Sequence, residues 1–233
     1  MKSNSSLAII PARGGSKRIP RKNIQPFRGR PMIAWSIEAA LSSELFDHVM
    51  VSTDDTEIAE LALSFGANVP FMRTANNSDD YATTSDVLVE VLEQYASFDM
   101  HFKTACCLYP TAPFVRASDL IDGYAKLLAG NHDVIFPVAR FSYPVWRALQ
   151  REKNGNTELL FPEYINARSQ DLRPTYHDAG QWYWFNVEKF MCEKKIMGSN
   201  TGSVEIPTTH VQDIDTEEDW LLAELKHSRL FNE

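Results

Sequence analysis

The sequence predicts an α/β fold in which a mainly parallel sheet carries helices on both faces. Short apolar runs alternate with longer amphipathic segments along the first 137 residues, a pattern typical of β-α-β units. In addition, 44% of the 233 residues are hydrophobic and 23% are charged, as in an ordinary globular domain. We therefore expect a single domain over residues 1–233, with ligands bound at the carboxyl ends of the strands.

The strands are expected where short apolar runs stop at a proline or a polar residue. The first run, Leu7 to Ile10, is entirely apolar and stops at Pro11, which is typical of a buried strand. Three further runs of this kind follow, at residues 48–52, 104–109 and 133–137.

Longer segments with apolar residues at helical spacing separate these strands. Gly66 and Gly130 follow two of the segments, where glycine commonly caps the carboxyl end of a helix. The expected helices cover residues 32–41, 57–65, 83–95 and 118–128.

The regular alternation ends near Pro137. Residues 138–181 are rich in turn-forming residues, including the sequence Asn-Gly-Asn at 154–156, and we expect an inserted subdomain there. The aromatic run from Trp182 to Phe185 predicts another strand, and a helix from Thr216 to Lys226 is expected to close the fold.

Charge is distributed unevenly along the chain. The net charge is −8, yet no acidic residue precedes Glu38. Eight basic residues lie before it: Lys2, Arg13, Lys17, Arg18, Arg21, Lys22, Arg28 and Arg30. The acidic remainder argues against a protein that binds nucleic acid or an anionic membrane. The basic segment instead predicts a small, highly charged anionic ligand.

Other classes of protein are also disfavoured. No apolar run approaches the ~20 residues of a membrane span, and the first apolar run is too short for a signal peptide. The three cysteines are odd in number and have no metal-ligand spacing. We expect a protein of the reducing cytoplasm without a disulfide framework.

The loop after the first strand is the strongest candidate for ligand binding. Residues 11–23 combine Gly14 and Gly15, which permit close approach of the backbone, with Arg13, Lys17 and Lys22. Backbone amides in such a loop can cradle phosphate oxygens. Neither the Walker A spacing nor G-x-G-x-x-G is present. A solvated basic loop or a nucleic-acid patch is the alternative interpretation.

A second candidate lies near the carboxyl end of the chain. If residues 213–215 are extended, Asp213 and Asp215 point to one face, and two carboxylates there would repel unless a cation lies between them. Mg²⁺ is the natural cation beside a nucleotide phosphate. The alternative is that these residues complement the dipole of the following helix, with Asp215 as its N-cap.

Further polar segments follow the expected strands. Asp54 follows the second strand, and residues 109–113 follow the third. Residues 81–85 open a helix. Each of these segments could bind a ligand or could only cap a neighbouring helix. The polar segment 168–180 could recognise a sugar or contact another subunit. No G-x-S-x-G motif is present, and His177 has no evident nucleophilic partner.

Taken together, these motifs resemble those of the CMP-sugar synthetases, the cytidylyltransferases that activate sialic and related nonulosonic acids. The resemblance begins at Ile10-Pro-Ala-Arg-Gly-Gly-Ser-Lys17 with Ile19-Pro-Arg-Lys-Asn23, and it ends at Asp213-Ile-Asp-Thr-Glu-Glu-Asp219. Between them it includes residues 51–54, 109–113 and 170–172, in the same order. Segments 80–84, 109–113 and 178–181 are most similar to the pseudaminic acid branch of the family.

The resemblance implies a Rossmann-like nucleotide-diphospho-sugar transferase fold and a reaction between CTP and an acidic nine-carbon sugar. The implied CTP-binding positions are Ala12, Arg13, Gly14, Lys17, Lys22, Asn23, Arg73 and Thr83. Asp213 and Asp215 match the magnesium pair, and Lys17, Arg13 and Asp215 are the implied catalytic residues. The implied sugar-binding positions are Tyr109, Thr111, Arg168, Gln170 and His177. The resemblance also implies a homodimer in which residues 138–181 form the dimerisation and sugar-site subdomain. It further implies that the product is used in flagellin or cell-surface glycosylation.

Departures from the sialic acid pattern fall on the sugar side. Tyr109 replaces a glutamine, Trp146 lies near an expected lysine, and Ser169 and His177 lie near expected arginines. Fewer donors and more apolar surface suit a deoxygenated diacetamido sugar such as pseudaminic acid. N-acetylneuraminic and legionaminic acids remain alternatives, and 3-deoxy-octulosonic acid is disfavoured by residues 109–113. The sugar carboxylate would then be bound by Arg168, Arg173 or Arg147.

Overall fold

The computed structural model describes residues 5–16, 18–79 and 81–231. Its strands are β1 (Ser6–Pro11), β2 (Pro26–Phe27), β3 (Arg30–Pro31), β4 (His48–Ser52), β5 (Thr104–Leu108), β6 (Val134–Arg140), β7 (Leu149–Arg151), β8 (Thr157–Leu159), β9 (Tyr176–Asp178), β10 (Trp182–Asn186) and β11 (Thr201–Glu205). Its α-helices are α1 (Met32–Ser42), α2 (Thr56–Ser64), α3 (Thr84–Ser97), α4 (Ala117–Leu128), α5 (Val187–Glu193) and α6 (Glu217–Leu230).

One seven-stranded sheet organises the chain. Its order is β11-β6-β10-β5-β1-β4, and β9 also pairs with β6. Strand β1 is parallel to both β4 and β5, and β6 is parallel to β11. The carboxyl ends of β1, β4 and β5 therefore meet at one edge, as the alternating pattern predicts.

Strand β10 is the exception to the parallel arrangement. It runs antiparallel between β5 and β6, with Trp182 opposite Leu108 and Trp184 opposite Ile135. Its side chains alternate between the two faces of the sheet, and four of its five residues are buried. The predicted strand at 182–185 is confirmed, and the sheet is mixed.

Two apolar layers cover the sheet, one on each face. On one face, Ala8 and Ile10 of β1 pack in a cluster with residues of α1, α2 and α4. On the other, Leu7 and Ile9 pack in a cluster with residues of α3 and α5. The alternation along β1 thus supplies both layers, and the prediction of helices on both faces is confirmed.

The strand that contains Pro137 extends further than predicted. Strand β6 continues through Pro137 to Arg140, which is three residues beyond the predicted end. Its partner on one side changes here, because β10 pairs with residues 134–135 and β9 with residues 138–140. The missing N–H of Pro137 falls between these partners, so the strand tolerates a proline in its interior.

Residues 138–181 contain little regular structure apart from the β7-β8 hairpin and β9. The Trp146 indole N–H donates to the carbonyl of Arg173 at 2.9 Å, and its ring contacts Phe161 and Tyr164. These contacts join the two ends of the irregular segment. Its role as a separate subdomain remains a prediction.

Two features of the described ranges bear on the classes of protein considered above. None of their helices is long and apolar enough to span a bilayer. Cys106, Cys107 and Cys192 are all free thiols, and the first two are buried.

Gly123, within α4, is required by close packing against β10. A Cβ atom at this position would lie 2.5 Å from two ring atoms of Trp182, which is fully buried. We expect Gly123→Ala to lower the free energy of unfolding by about 1–3 kcal/mol, because neither the ring nor the helix has room to move. Thermal or urea denaturation measures this, and an unchanged midpoint would contradict such close packing.

Candidate active site

The basic loop after β1 begins at the carboxyl edge of the sheet. The buried Ala12 donates its N–H to the carbonyl of Ser52 at 2.9 Å, which ties the loop to the end of β4. The Asn23 side-chain amide donates to the carbonyl of Arg13 at 2.9 Å and closes the loop on itself. Two polar contacts thus fix the start and the end of the loop.

Carboxylates at the start of α2 hold the glycine turn of this loop. The N–H of Gly14 donates to Asp54 Oδ1 at 3.0 Å. Asp55, not Asp54, is the N-cap of α2, and it accepts from the N–H of Ile58. Arg21 donates to Asp55 Oδ2 at 2.5 Å and also binds Glu57, and the hydrogen bonds and positive charge at Asp55 lower its pKa.

Gly14 and Gly15 form a matched pair for testing this arrangement. A Cβ atom on Gly14 would lie 2.7 Å from Asp55 Oδ2, whereas one on Gly15 has open space. We expect Gly14→Ala to lower the free energy of unfolding by about 1–3 kcal/mol and Gly15→Ala to change it by less than about 0.5 kcal/mol. Urea denaturation of both variants measures these changes. Equal losses of stability in the two variants would exclude a special role for the contact between Gly14 and Asp55.

The basic loop meets the second candidate motif directly. Arg18 Nη1 lies 2.5 Å from Asp215 Oδ2, and Lys22 Nζ lies 3.5 Å from Asp215 Oδ1. Lys22 also donates to the carbonyl of Ile214 at 2.6 Å, and its side chain is only 16% exposed. Residues nearly 200 positions apart therefore form one cluster of opposite charges.

The cap of α6 resolves the alternative role considered for Asp215. Thr216 is the N-cap of α6 and forms a capping box with Asp219. The carboxylate of Asp215 is thereby left to the basic loop, and the alternative of capping by Asp215 was wrong. Thr83 is likewise the N-cap of α3, in a capping box with Asp86.

Two adjoining cavities lie beside the loop and share Arg13. One, of about 380 Å³, is lined by Arg13, Ser16, Arg18, Lys22 and Asn23, together with Pro11 and Pro110. The other, of about 280 Å³, is lined by Arg13, Arg73, Thr83, Thr84 and Tyr109, among others. Three of the seven residues that line the first cavity are basic and none is acidic, which suits phosphates, while the second cavity is smaller and more mixed in character. Lys17, a predicted CTP-binding residue, lies outside the described residues, as does Asp80.

Arg73 forms the floor of the second cavity. It is buried, and its guanidinium donates to Ser52 Oγ at 3.0 Å and to the Ser52 carbonyl. Burial lowers its pKa from the ordinary value, while Asp54 and Glu90 act in the opposite direction. An arginine remains charged under such conditions, so a fixed positive charge lies beneath this cavity.

A larger cavity of about 830 Å³ lies on the other side of Tyr109. Four of the predicted sugar-side and metal residues line it: Tyr109, Thr111, His177 and Asp213. Gln170 lines an adjacent cavity of about 420 Å³ with Arg173, whereas Arg168 lines neither. Because Tyr109 borders both the 280 Å³ and the 830 Å³ cavities, it separates the two halves of the site.

The arginines considered for a sugar carboxylate have different surroundings. Arg147 donates to the Ala167 carbonyl at 2.5 Å and to Ser169 Oγ at 3.4 Å, within the irregular segment. The large cavity is instead lined by Arg140 and Lys226. Lys226 donates hydrogen bonds to the Val211 carbonyl and to Gln212 Oε1. Among the described residues, the Arg140 side chain makes no hydrogen bond of this kind.

The sequence interpretation missed several residues of the site. Arg140, Asp178, Tyr183 and Lys226 line the large cavity, and Arg18 binds Asp215. Arg18 and Asp178 belong to segments already singled out by their composition, so a signal for them existed. Tyr183 lies in an apolar strand and Lys226 at the end of a predicted helix, and nothing in the sequence places them at a cavity.

The fold and the cation-lined cavities at the carboxyl edge of the sheet define an α/β nucleotidyltransferase. A solved structure of CMP:2-keto-3-deoxy-manno-octonic acid synthetase complexed with CTP has this fold, with a TM-score of 0.72 and 19% identity over 99% of this chain and all of that one. A sequence model of the cytidylyltransferase family matches residues 7–172. The chain belongs to this family, in the group of the CMP-nonulosonic acid synthetases.

Two relatives cover almost the whole chain. Pseudaminic acid cytidylyltransferase of Campylobacter jejuni subsp. jejuni serotype O:2 is 41% identical over 220 residues, which are 94% of this chain and 95% of that protein. CMP-N,N'-diacetyllegionaminic acid synthase of Legionella pneumophila subsp. pneumophila is 34% identical over 231 residues, covering 94% of each. The family expected from the motifs is confirmed.

Proposed function

We propose that this chain transfers CMP from CTP to pseudaminic acid. The observation that carries this proposal is the 41% identity to a pseudaminic acid cytidylyltransferase over both chains. The cavities agree with it, because a cation-lined pair suits a nucleoside triphosphate and a larger one across Tyr109 suits a sugar. The anomeric hydroxyl attacks the α-phosphorus, a P–O bond to the sugar forms, the bond to pyrophosphate breaks, and the hydroxyl proton is released to solvent.

The residues around the loop would act by position and charge. Arg13, Lys17 and Lys22 would bind the phosphates, and Asn23 and Asp54 would hold the loop that presents them. Arg73 and Thr83 border the cavity that suits the nucleoside. Fixed charges around a transferring phosphate account for much of the catalysis in reactions of this kind.

Asp213 and Asp215 would hold Mg²⁺. No group of three or more metal-binding side chains occurs among residues 5–16, 18–79 and 81–231. Two carboxylates fit this ion, because Mg²⁺ takes one or two from the protein and completes its shell with substrate phosphates and water. Bound there, Mg²⁺ would neutralise charge on the triphosphate. Asp215 would exchange its contacts with Arg18 and Lys22 on loading.

The large cavity suits an acidic sugar with apolar substituents. Arg140 and Lys226 supply positive charge for a carboxylate, while Tyr109, Phe141 and Tyr143 supply aromatic surface. Incubation of the protein with CTP, Mg²⁺ and separate pseudaminic, N-acetylneuraminic and legionaminic acids tests the assignment. We expect a CMP-sugar and pyrophosphate from pseudaminic acid, and a preference for another acid would transfer the assignment to it.

We further propose a homodimer that works in the cytoplasm, where CTP is available, and supplies flagellin or cell-surface glycosylation. Large apolar side chains are exposed on the segment 138–181, including Tyr143, Leu149, Leu160 and Ile165. Light scattering tests the dimer by measuring the molar mass of the wild type and of Ile165→Glu, with Leu63→Glu on α2 as the control. We expect dissociation of the Ile165 variant only, and a monomeric wild type would refute the dimer.

A further inference from the structure

Four side chains with hydroxyl or carboxylate groups lie in succession between two cavities, and we refer to Thr84, Tyr109, Tyr183 and Asp178 as the hydroxyl chain. The Tyr183 hydroxyl donates to Asp178 Oδ2 at 2.5 Å. Tyr109 shares the 280 Å³ cavity with Thr84 and the 830 Å³ cavity with Tyr183. The N–H of Gly180 donates to the other carboxylate oxygen of Asp178 at 2.8 Å.

The hydrogen bond between Tyr183 and Asp178 has a fixed direction. An ionised carboxylate only accepts, so the Tyr183 proton faces Asp178. A hydrogen bond to a charged acceptor is stronger than one between neutral groups, so it holds the carboxylate in place.

Burial makes the hydroxyl chain rigid. The two tyrosine rings lie 5.4 Å apart, and the Tyr183 ring also stacks on Phe136 at 5.9 Å. Burial is the main reason why the pKa values of Tyr109 and Tyr183 are both raised, so both phenols stay protonated. Loss of one bond would leave a buried polar group without its partner.

The ends of the hydroxyl chain lie in different cavities. Thr84 and Tyr109 line the 280 Å³ cavity beside Arg13 and Arg73, while Tyr183 and Asp178 line the 830 Å³ cavity. Each Asp178 oxygen receives one protein donor and keeps acceptor capacity for a second. Such a carboxylate repels another carboxylate and pairs with N–H or O–H groups.

We propose that Asp178 is a specificity-determining residue that accepts a hydrogen bond from an amide N–H or hydroxyl of the sugar. Its hydrogen bonds from Tyr183 and Gly180 hold this acceptor at the wall of the large cavity. Asp178 thus recognises the donor-bearing part of the sugar, away from its carboxylate. This inference rests on the proposed function, since it assigns the sugar to the large cavity.

The test compares Asp178→Asn and Tyr183→Phe with a matched tyrosine variant. Tyr176→Phe is the control, because it removes the same hydroxyl from a tyrosine that lies on the strand of Asp178 but outside the large cavity. We expect the KM for pseudaminic acid to rise about 10- to 100-fold in both test variants, as for the loss of a hydrogen bond to a charged group. The KM for CTP should change less than about twofold, and Tyr176→Phe should match the wild type.

Two further measurements separate sugar recognition by Asp178 from proton transfer and from a loss of folding. Direct titration with CTP and a melting curve show whether each variant is folded and its nucleotide site intact. A fall in kcat with unchanged sugar KM, together with loss of one limb of the pH-rate profile, would make Asp178 a proton acceptor and overturn the recognition role. Normal wild-type turnover with an unchanged sugar KM in Asp178→Asn overturns this inference alone. A wild type inactive on all three sugars overturns the proposed function as well.

Discussion

Asp215→Ala is expected to reduce kcat on the order of 10³-fold at saturating CTP and sugar. The variant removes a carboxylate that would hold Mg²⁺ in the loaded enzyme, where Asp215 would have exchanged its contacts with Arg18 and Lys22 for the ion. The residual activity should respond weakly to added Mg²⁺. Pyrophosphate release measured over a Mg²⁺ titration reports both quantities.

The control for this prediction is Asp122→Ala, an exposed aspartate on α4 that lies outside the site. It should have wild-type kcat and the wild-type response to Mg²⁺. Binding of CTP in the absence of metal should survive in Asp215→Ala, since the cations of the loop are retained. A normal Mg²⁺ response in Asp215→Ala would show that this carboxylate does not hold the ion.

Arg13→Ala is expected to lower kcat/KM on the order of 10²-fold. Arg13 borders both cavities beside the loop, and its guanidinium donates to the carbonyl of Asp79 at 3.2 Å. Loss of a preorganised charged donor at a transferring phosphate has effects of this size. Steady-state kinetics with CTP as the varied substrate measure the change.

Arg229→Ala, an exposed arginine near the end of α6, is the matched control and should be neutral. Arg13→Lys should recover only part of the activity, because a lysine supplies charge without the planar donor geometry. If Arg13→Ala turns over CTP normally, the phosphates bind elsewhere and the two cavities lose their assignment.

Features determined by neighbouring residues in the chain were predictable from the sequence. The glycine turn and its basic residues follow β1 directly, so their place at the edge of the sheet follows from one strand and one loop. The antiparallel direction of β10 was not predictable, because it depends on pairing with residues of β5 and β6 that lie 49 to 82 positions earlier. Periodicity identifies a strand but says nothing about its neighbours.

The site divides in the same way. Arg13, Lys22 and Asp215 belong to motifs with a distinctive composition; Lys22 lies 3.5 Å from Asp215 Oδ1 and lines one cavity with Arg13. Arg140 and Tyr183 became visible only once the fold was known, since β6 continues past Pro137 and β10 turns Tyr183 toward Tyr109. A proline and an aromatic strand are weak signals, and long-range packing decides what they do.

The position of β10 has a consequence for how the chain folds. A truncated chain ending at residue 172, where the match to the family model stops, would lack the strand that joins β5 to β6. Both strands would then present open edges lined with unpaired amides and carbonyls, which favour aggregation. During synthesis, the sheet therefore cannot close between β5 and β6 until β10, which ends at Asn186, has left the ribosome.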